Sequence, residues 1–394
     1  MADGSSRIFI HMPIKVLSIG SDRNLFAEGS AVTERIKEYG ALVGEIHIIN
    51  MTNASEGFKN KQLSPNVWIY PTNSFSSIFR PLDAARIGKR VVFDRKFVRG
   101  ESLITAQDIE SGWAGLKVKK KWRIPLELQL HTDIFSPYFN GFQNRVRQFF
   151  ARTVLAKADN VRVVSEDLKS RILNLKSNAI VSVLPIYVDK EKIENAPIKF
   201  DLHARYPWHF ILLTVSRLAP EKNLELALKV LAAVRTKFPD TGLVIVGSGP
   251  EESRLKRLVK KLKLEGAVEF VGWQDNLASF YKTANAFVQT SLFEGYGLSL
   301  IEAGLSGLPI ITTPVGIAQE LEHGKDAYIY PLDSARGKPE LFAQGIIDLI
   351  ENNYKRENLR TNMRHTLEMK LLSKDDYMAQ IKFGWEETSK KIKP

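Results

Sequence analysis

The sequence predicts an α/β protein of two doubly wound domains in tandem, with a ligand cleft between them. Three observations carry that expectation. The chain has 394 residues, more than one usual domain. Short apolar runs of strand length alternate with helix-competent segments, the pattern of a parallel sheet covered by helices on both faces. The alternation also stops once, over residues 189–207, a charged stretch punctuated by Pro197 and Pro207, and then restarts on a new apolar run. The expected boundaries are 1–197 for the first domain, 198–374 for the second, and 375–394 for a C-terminal helix that packs back on the first. In sheets of this kind ligands bind beyond the carboxyl ends of the strands.

In the first domain residues 14–19 read as a buried strand, followed by the polar loop SDRNLFAEGS, a helix over 31–39 and a strand over 42–49. Further strands are expected at 91–93, 102–105, 126–130, 161–164 and 180–184, with helices at 112–121 and 144–157. The second domain opens on a strand at 210–215. Helices at 224–237, 251–263, 276–282 and 298–304 then alternate with strands at 242–246, 268–271, 286–289 and 310–313. Residues 375–391 are amphipathic, with Tyr377, Ile381, Phe383 and Trp385 as the packing residues.

Composition removes several classes of chemistry. There is no cysteine, so disulfides, thiolate metal sites and cysteine nucleophiles are excluded, which fits a reducing compartment. No apolar run approaches the ~18 residues that span a bilayer, and the first twenty residues lack the apolar segment of a secretory signal. A cytoplasmic protein is expected. The net charge is +12, and residues 1–195 carry 29 Lys+Arg against 20 Asp+Glu while the remainder carries 27 against 24. The basic first half, with Lys117, Lys119, Lys120, Lys121 and Arg123 before a core strand, suits an anionic membrane surface or an anionic acceptor. An ordinary solvated helix end is the plain alternative. No nucleic-acid-binding motif accompanies the charge, so nucleic acid is not an expected partner.

The chemistry concentrates in the second half. In SLFEGYGLSLIEAGLSGLPIITTP, residues 291–314, Glu294 and Glu302 bracket a glycine-bearing loop that runs into an apolar helix. A helix starting near Gly297 presents unpaired N–H groups and a positive dipole end, which suits a phosphate. The two carboxylates suit sugar or ribose hydroxyls. Alone, the pair also fits an ordinary loop-to-helix junction with two solvated glutamates. Upstream, VSRLAPEKN follows a strand end and offers a forked donor, Arg217, and a compact cation, Lys222, a pairing suited to a diphosphate. A surface Arg and Lys capping the loop would look the same. VGSGP, with Gly247, is a second glycine turn, but it lacks the third glycine of the dinucleotide fingerprint, so no nicotinamide cofactor is expected. No D-x-D triplet and no His/Asp cluster of ligand spacing occurs, so no metal site is expected.

SRLAPEKN, VGSGPEE and VEFVGWQDNLASFYKTANAFVQTSLFEGYGLSLIEAGLSGLPIITTPVG together resemble the C-terminal domain of a GT-B glycosyltransferase, closest to family 4, the retaining group 1 family. The similarity covers nearly all of residues 210–335 in order. LQLHTDIFSPYF, ADNVRVVSEDLKSRI and VLPIYVD resemble the family's N-terminal half more loosely. The resemblance implies two Rossmann-like domains, an N-terminal acceptor domain and a C-terminal nucleotide-sugar donor domain. Arg217 and Lys222 match the cationic pair that binds the departing diphosphate. Glu294 matches the glutamate on the donor sugar and Glu302 the one on the ribose. The backbone of Gly297 and Leu298 would cover the phosphates, and Trp273 and Gln274 lie where family members meet the nucleobase. His131, by its residues alone as easily a structural histidine at a strand end, matches the histidine over the donor sugar, with Asp133 beside it. Gly29 stands nearest the glycine that lets backbone approach phosphate and acceptor, although the usual paired glycines are Gly29 and Ser30 here. Tyr187 and Asn285 depart from the common glycine and aspartate.

The implied activity is transfer of a hexose-type sugar, with retention of configuration and without metal. The donor is a nucleotide diphosphate sugar and the acceptor a saccharide or a lipid-linked saccharide of cell-envelope synthesis. An inner-face membrane association would follow. The alternatives are a GT-B synthase for a free sugar, an epimerase, an inactive sugar-nucleotide-binding subunit, and a membrane-surface assembly protein.

Overall fold

The computed structural model describes residues 13–135, 142–174, 179–335 and 338–391. They divide into two compact units. One runs to Pro185 and takes up the chain again from Asp375; the other is Ile186–Lys374.

The first unit contains β1 (Lys15–Gly20), α1 (Ala31–Ala41), β2 (Glu45–Asn50), β3 (Lys61–Ser64), β4 (Val67–Pro71), α2 (Arg80–Asp94), β5 (Ser102–Ala106), α3 (Ile109–Trp122), β6 (Leu126–Leu130), α4 (Phe142–Lys157), β7 (Asn160–Val163), α5 (Glu166–Leu173) and β8 (Ile180–Val183). The second unit contains α6 (Lys190–Asn195), α7 (Leu202–Arg205), β9 (Phe210–Val215), α8 (Leu224–Arg235), β10 (Thr241–Val246), α9 (Glu252–Lys261), β11 (Val268–Gly272), α10 (Ala278–Thr283), β12 (Ala286–Gln289), α11 (Leu298–Leu305), β13 (Ile310–Thr312), β14 (Tyr328–Ile329), α12 (Leu332–Ala335), α13 (Pro339–Glu351) and α14 (Asn353–Lys370). The last helix, α15 (Lys374–Ser389), returns to the first unit.

The first sheet has the order β3-β4-β2-β1-β5-β6-β7-β8 and is parallel except for β3, which pairs antiparallel with β4. The second has the order β11-β10-β9-β12-β13-β14 and is parallel throughout. Strands covered on both faces read as continuous apolar runs. Hence Leu17, Ile19, Leu103 and Ile104 in the first sheet, and Leu212, Leu213, Leu243 and Ile245 in the second, are buried. The second sheet carries most of the candidate residues on its loops. Its strand order reverses between β9 and β12, so the loops leaving these two strands part at one point, where doubly wound sheets open a crevice.

Several expectations change. Residues 91–93, read as a strand, lie in the last turns of α2. Val91 and Val92 are buried there with Ala84, Ala85 and Gly88, at helical rather than alternate spacing. A three-residue apolar run has no period of its own, so only tertiary packing chooses. The expected linker holds α6 and α7, started by the Asp189 and Asp201 side chains as caps. Strands β3 and β4 were unforeseen. In α15, Ile381 and Trp385 are buried one turn apart and Trp385 meets the Tyr39 ring edge-on at 5.9 Å, whereas Phe383, on the opposite side of the helix, is exposed.

Candidate functional site

The loop after β9 turns through a 3-10 segment, Pro220–Lys222, and closes on Asn223, which holds a left-handed backbone at φ 48°. The Thr290 hydroxyl, just past β12, donates to the carbonyls of Lys222 (3.2 Å) and Asn223 (3.0 Å). The Leu292 amide donates to the Glu221 carbonyl at 2.8 Å. The two loops at the sheet's reversal are therefore stitched together by backbone. Glycines allow a third loop to close in. A Cβ at Gly247, where φ is +131°, would lie 2.0 Å from the Ser216 carbonyl oxygen, and one at Gly249 would lie 2.4 Å from that of Leu218. Gly247 thus serves the tight packing of the Arg217 loop.

On this frame Lys222 Nζ reaches Glu294 Oε1 at 2.7 Å, and the Ser291 hydroxyl donates to the same oxygen at 2.7 Å. Both partners of the ion pair are largely buried, with 17% and 12% of their side chains exposed. Arg217 is different. One guanidinium nitrogen donates to buried Glu221 at 2.5 Å while 63% of the side chain stays exposed.

Past Glu294 the chain turns at Gly297, φ +99°, which caps α11. The Leu300 and Ile301 amides both donate back to the Gly297 carbonyl, at 3.1 and 3.2 Å, so the amides of Leu298 and Ser299 have no acceptor within the helix. The turn is braced from behind. Gly316, φ +57°, brings its backbone so near that a Cβ would lie 2.4 Å from the Tyr296 carbonyl oxygen, and the Ile317 amide donates to that oxygen at 2.8 Å.

Glu302, one turn into α11, faces a cavity of about 420 Å³ within the second unit, lined also by Tyr187, Asp189, Lys192, Asp275 and Leu298. That volume is within the ordinary range for small-molecule sites. The Tyr281 hydroxyl donates to Glu302 Oε2 at 2.9 Å. Burial raises the Glu302 pKa above the usual carboxylate value, and the tyrosine hydrogen bond opposes the rise. Tyr281, Ser291 and Lys192 were not foreseen as part of this site. Tyr281 lies in the mixed segment ASFYKT, and nothing in the sequence says which way it faces.

The remaining expected residues are scattered. Trp273 is 72% exposed, with its Nε1 donating to Asp275 at 3.2 Å, and Gln274 donates to the Val271 carbonyl at 3.0 Å. The cavity wall is made by the residues that follow them, 275–278. In the first unit His131 follows β6. Its ring meets solvent, yet the protein crowded around it and the cations Arg162 and Arg35 push its pKa down to about 4, so at neutral pH it is a neutral imidazole. Asp133 beside it is buried, accepts from the Phe135 amide at 2.8 Å and pairs with Arg171 at 3.4 Å. It braces the turn that carries His131. Gly29, φ +66°, lies in an exposed loop where a Cβ would meet nothing within 4 Å. Among the described residues no group of three or more His, Asp or Glu side chains is arranged to hold a metal ion.

Comparison with known proteins adds the family. Residues 197–366 match the family profile described as glycosyl transferases group 1, and residues 65–186 match a glycosyl transferase 4-like domain. Over 157 residues the chain is 32% identical to the GtfA subunit of a UDP-N-acetylglucosamine–peptide N-acetylglucosaminyltransferase of Streptococcus agalactiae, covering 38% of this chain and 31% of that subunit. It is 22% identical over 302 residues to the alpha-monoglucosyldiacylglycerol synthase of Acholeplasma laidlawii, covering 69% of this chain and 72% of that enzyme. The chain spans less than half the length of the first curated relatives it matches, 31%, 39% and 41% for three of them. Among solved structures, Anabaena HepE in complex with UDP and glucose superimposes with a TM-score of 0.73 at 20% identity, over 95% of this chain and 100% of that one. That likeness concerns the fold.

Proposed function

The chain belongs to the group 1 glycosyltransferases of the GT-B fold, and from that premise we propose that it moves a hexose-type sugar from a nucleotide diphosphate sugar to an acceptor hydroxyl with retention of anomeric configuration. The observation that carries the proposal is the Lys222–Glu294 contact at 2.7 Å. It ties a compact cation to the carboxylate beside the open amide end of α11, so diphosphate and sugar chemistry meet at one point.

In this reading the bond between the anomeric carbon and the phosphate oxygen breaks, and its electron pair stays on the diphosphate. Lys222, Arg217 and the amides of Leu298 and Ser299 stabilise that charge. These groups supply the positive field without a metal. The acceptor oxygen bonds to the anomeric carbon on the face the phosphate leaves, and the departing phosphate oxygen takes the acceptor's proton. Glu294 accepts hydrogen bonds from the sugar hydroxyls, and Glu302 from the ribose in the cavity it lines. His131, neutral at pH 7, hydrogen-bonds the donor sugar without adding charge. Trp273 and Gln274 border the base by main chain.

The likeness to HepE, whose structure holds UDP and glucose, supports a UDP-hexose donor. The likeness to an alpha-monoglucosyldiacylglycerol synthase supports a lipid or lipid-linked acceptor. The test is incubation with a panel of nucleotide sugars and candidate acceptors, scored for nucleotide release and for the anomeric configuration of the product by NMR. Nucleotide release with a retained product is expected. An inverted product would overturn the stereochemistry, and no release from any nucleotide sugar would overturn the activity. A donor that binds also raises the melting temperature by mass action.

A further inference from the structure

Helices α2, α3 and α4 pack side by side in the first unit, and their first turns follow β4, β5 and β6 at the sheet edge where His131 stands. That face carries apolar residues the fold does not bury. Phe75 is 93% exposed and Ile78 80%, in the loop entering α2, and Phe79, Leu82, Phe149 and Phe150 are exposed beside them. A groove of about 460 Å³ runs between Ile78, Leu82, Trp113, Val146 and Phe150. A second, of about 520 Å³, continues from Trp113 between α3 and α4 past Lys117, Lys119, Lys120 and Lys157. Soluble surfaces scatter large apolar side chains singly, and a contiguous set marks an interaction site.

The exposed ammonium groups of the face lie outside its ion pairs with carboxylates. Its carboxylates Asp83, Glu110 and Asp159 are held by Arg86, Arg147 and Lys119. Lys117, Lys120 and Lys157 remain exposed, with the Lys117 ammonium 4.7 Å above the Trp113 ring. Apolar tips that project into solvent with lysines behind them suit a fluid boundary whose outer layer is anionic. Aromatic and aliphatic groups enter the acyl boundary there, and ammonium groups stay at the phosphates.

We propose that the α2–α3–α4 face docks the protein on an anionic lipid bilayer, with Phe75, Ile78 and Phe149 inserted below the headgroups and Lys117, Lys120 and Lys157 on the lipid phosphates. His131 stands at the end of the sheet from which the first turns of these helices start. The inference deepens the acceptor reading above, and it rests on that reading for its use but not for its test.

The test is flotation of the full chain with vesicles of phosphatidylcholine alone or with phosphatidylglycerol added. The protein is expected to float with the anionic vesicles and not with the neutral ones. A lysine near an anionic surface contributes about fivefold in affinity, so Lys117→Glu with Lys120→Glu should weaken binding at least about tenfold. Phe75→Ser with Ile78→Ser should weaken it by a similar factor, and so in smaller measure should Phe149→Ser. These positions are solvent-exposed, and unchanged melting temperatures would show that the variants fold. Equal flotation on neutral vesicles, wild-type binding by either double variant, or no flotation at all would overturn the proposal. A wild type that stays off vesicles but self-associates through Phe75 and Ile78 would give the face to a second copy instead. Glu294→Ala should lose transfer yet float like the wild type, which keeps failure of the docking inference apart from failure of the catalytic one.

Discussion

Glu294 and Glu302 stand at the two ends of one loop-to-helix segment and are held by opposite means. Glu294 lies in the loop before α11, on an ammonium and a hydroxyl, Lys222 and Ser291, both donating to the same oxygen. Glu302 lies inside α11, on a single neutral donor, Tyr281, in a setting whose burial raises its pKa. One carboxylate is committed to a cation and positions it. The other is kept in a cavity with lone pairs to offer, and a ribose hydroxyl would satisfy them. In the proposed reading the same residue type would serve charge placement at one end and hydrogen-bond recognition at the other.

The largest effect should come from breaking the charged end. Lys222→Ala or Glu294→Ala is expected to lower kcat by roughly 10²–10³, the usual effect of removing one donor to developing negative charge. Because the two act as a unit, the double variant should be little worse than the poorer single one. Steady-state kinetics of the four proteins decide, and additive losses would separate Lys222 from Glu294.

The neutral end should fail differently. Glu302→Ala is expected to raise the donor KM by about 10-fold or more, since a hydrogen bond to a charged group contributes ~1.5–3 kcal/mol, while kcat changes little. A fall in kcat with KM intact would mean that Glu302 does not hold the nucleoside.

A smaller and subtler separation is in pH. A raised folded-state pKa means the native protein keeps a proton on Glu302 that the unfolded chain has released. The stability this group contributes is therefore full at low pH and is lost as pH rises through the folded pKa. Donor binding needs the carboxylate and runs the other way, so KM should climb on acidification above the ordinary carboxylate range. Tyr281→Phe removes the opposing hydrogen bond and should move that acid limb to higher pH, with a stability change of about 1 kcal/mol in thermal melts. A limb unmoved in Tyr281→Phe would break the assignment. His131, pushed down to about 4, should add no limb near 6.5. Between those two values the unfolded chain binds a proton the native one refuses, so this residue weakens the fold as pH falls through the window.

Much of this was legible before folding. Buried parallel strands of the second unit announce themselves as apolar runs between helices, and Ile211, Val244 and Phe287 sit in strands where the alternation put them. The order of VSRLAPEKN, VGSGP and SLFEGYGLSLIEAG marked the loops that gather at the sheet's reversal. What failed was short or ambiguous. Val91 and Val92 carry the β preference of valine but pack on the inner side of a helix, because tertiary burial outweighs local propensity. The alternating 67–71 strand was too brief to register.

By itself the sequence marked the candidate residues for chemistry. Charged groups, glycines with no Cβ and strand-to-helix junctions are local properties, and local properties are written in order along the chain. Only the tertiary structure decided which of them are partners. Lys222 and Glu294 are 72 residues apart, and Tyr281 is 21 from Glu302. The first pair meets because β9 and β12 are neighbours in a sheet whose order reverses between them, and the second because α10 and α11 enter and leave the same strand, β12; both adjacencies come from hydrogen-bonded strand pairing and shared burial. No spacing along the chain encodes them.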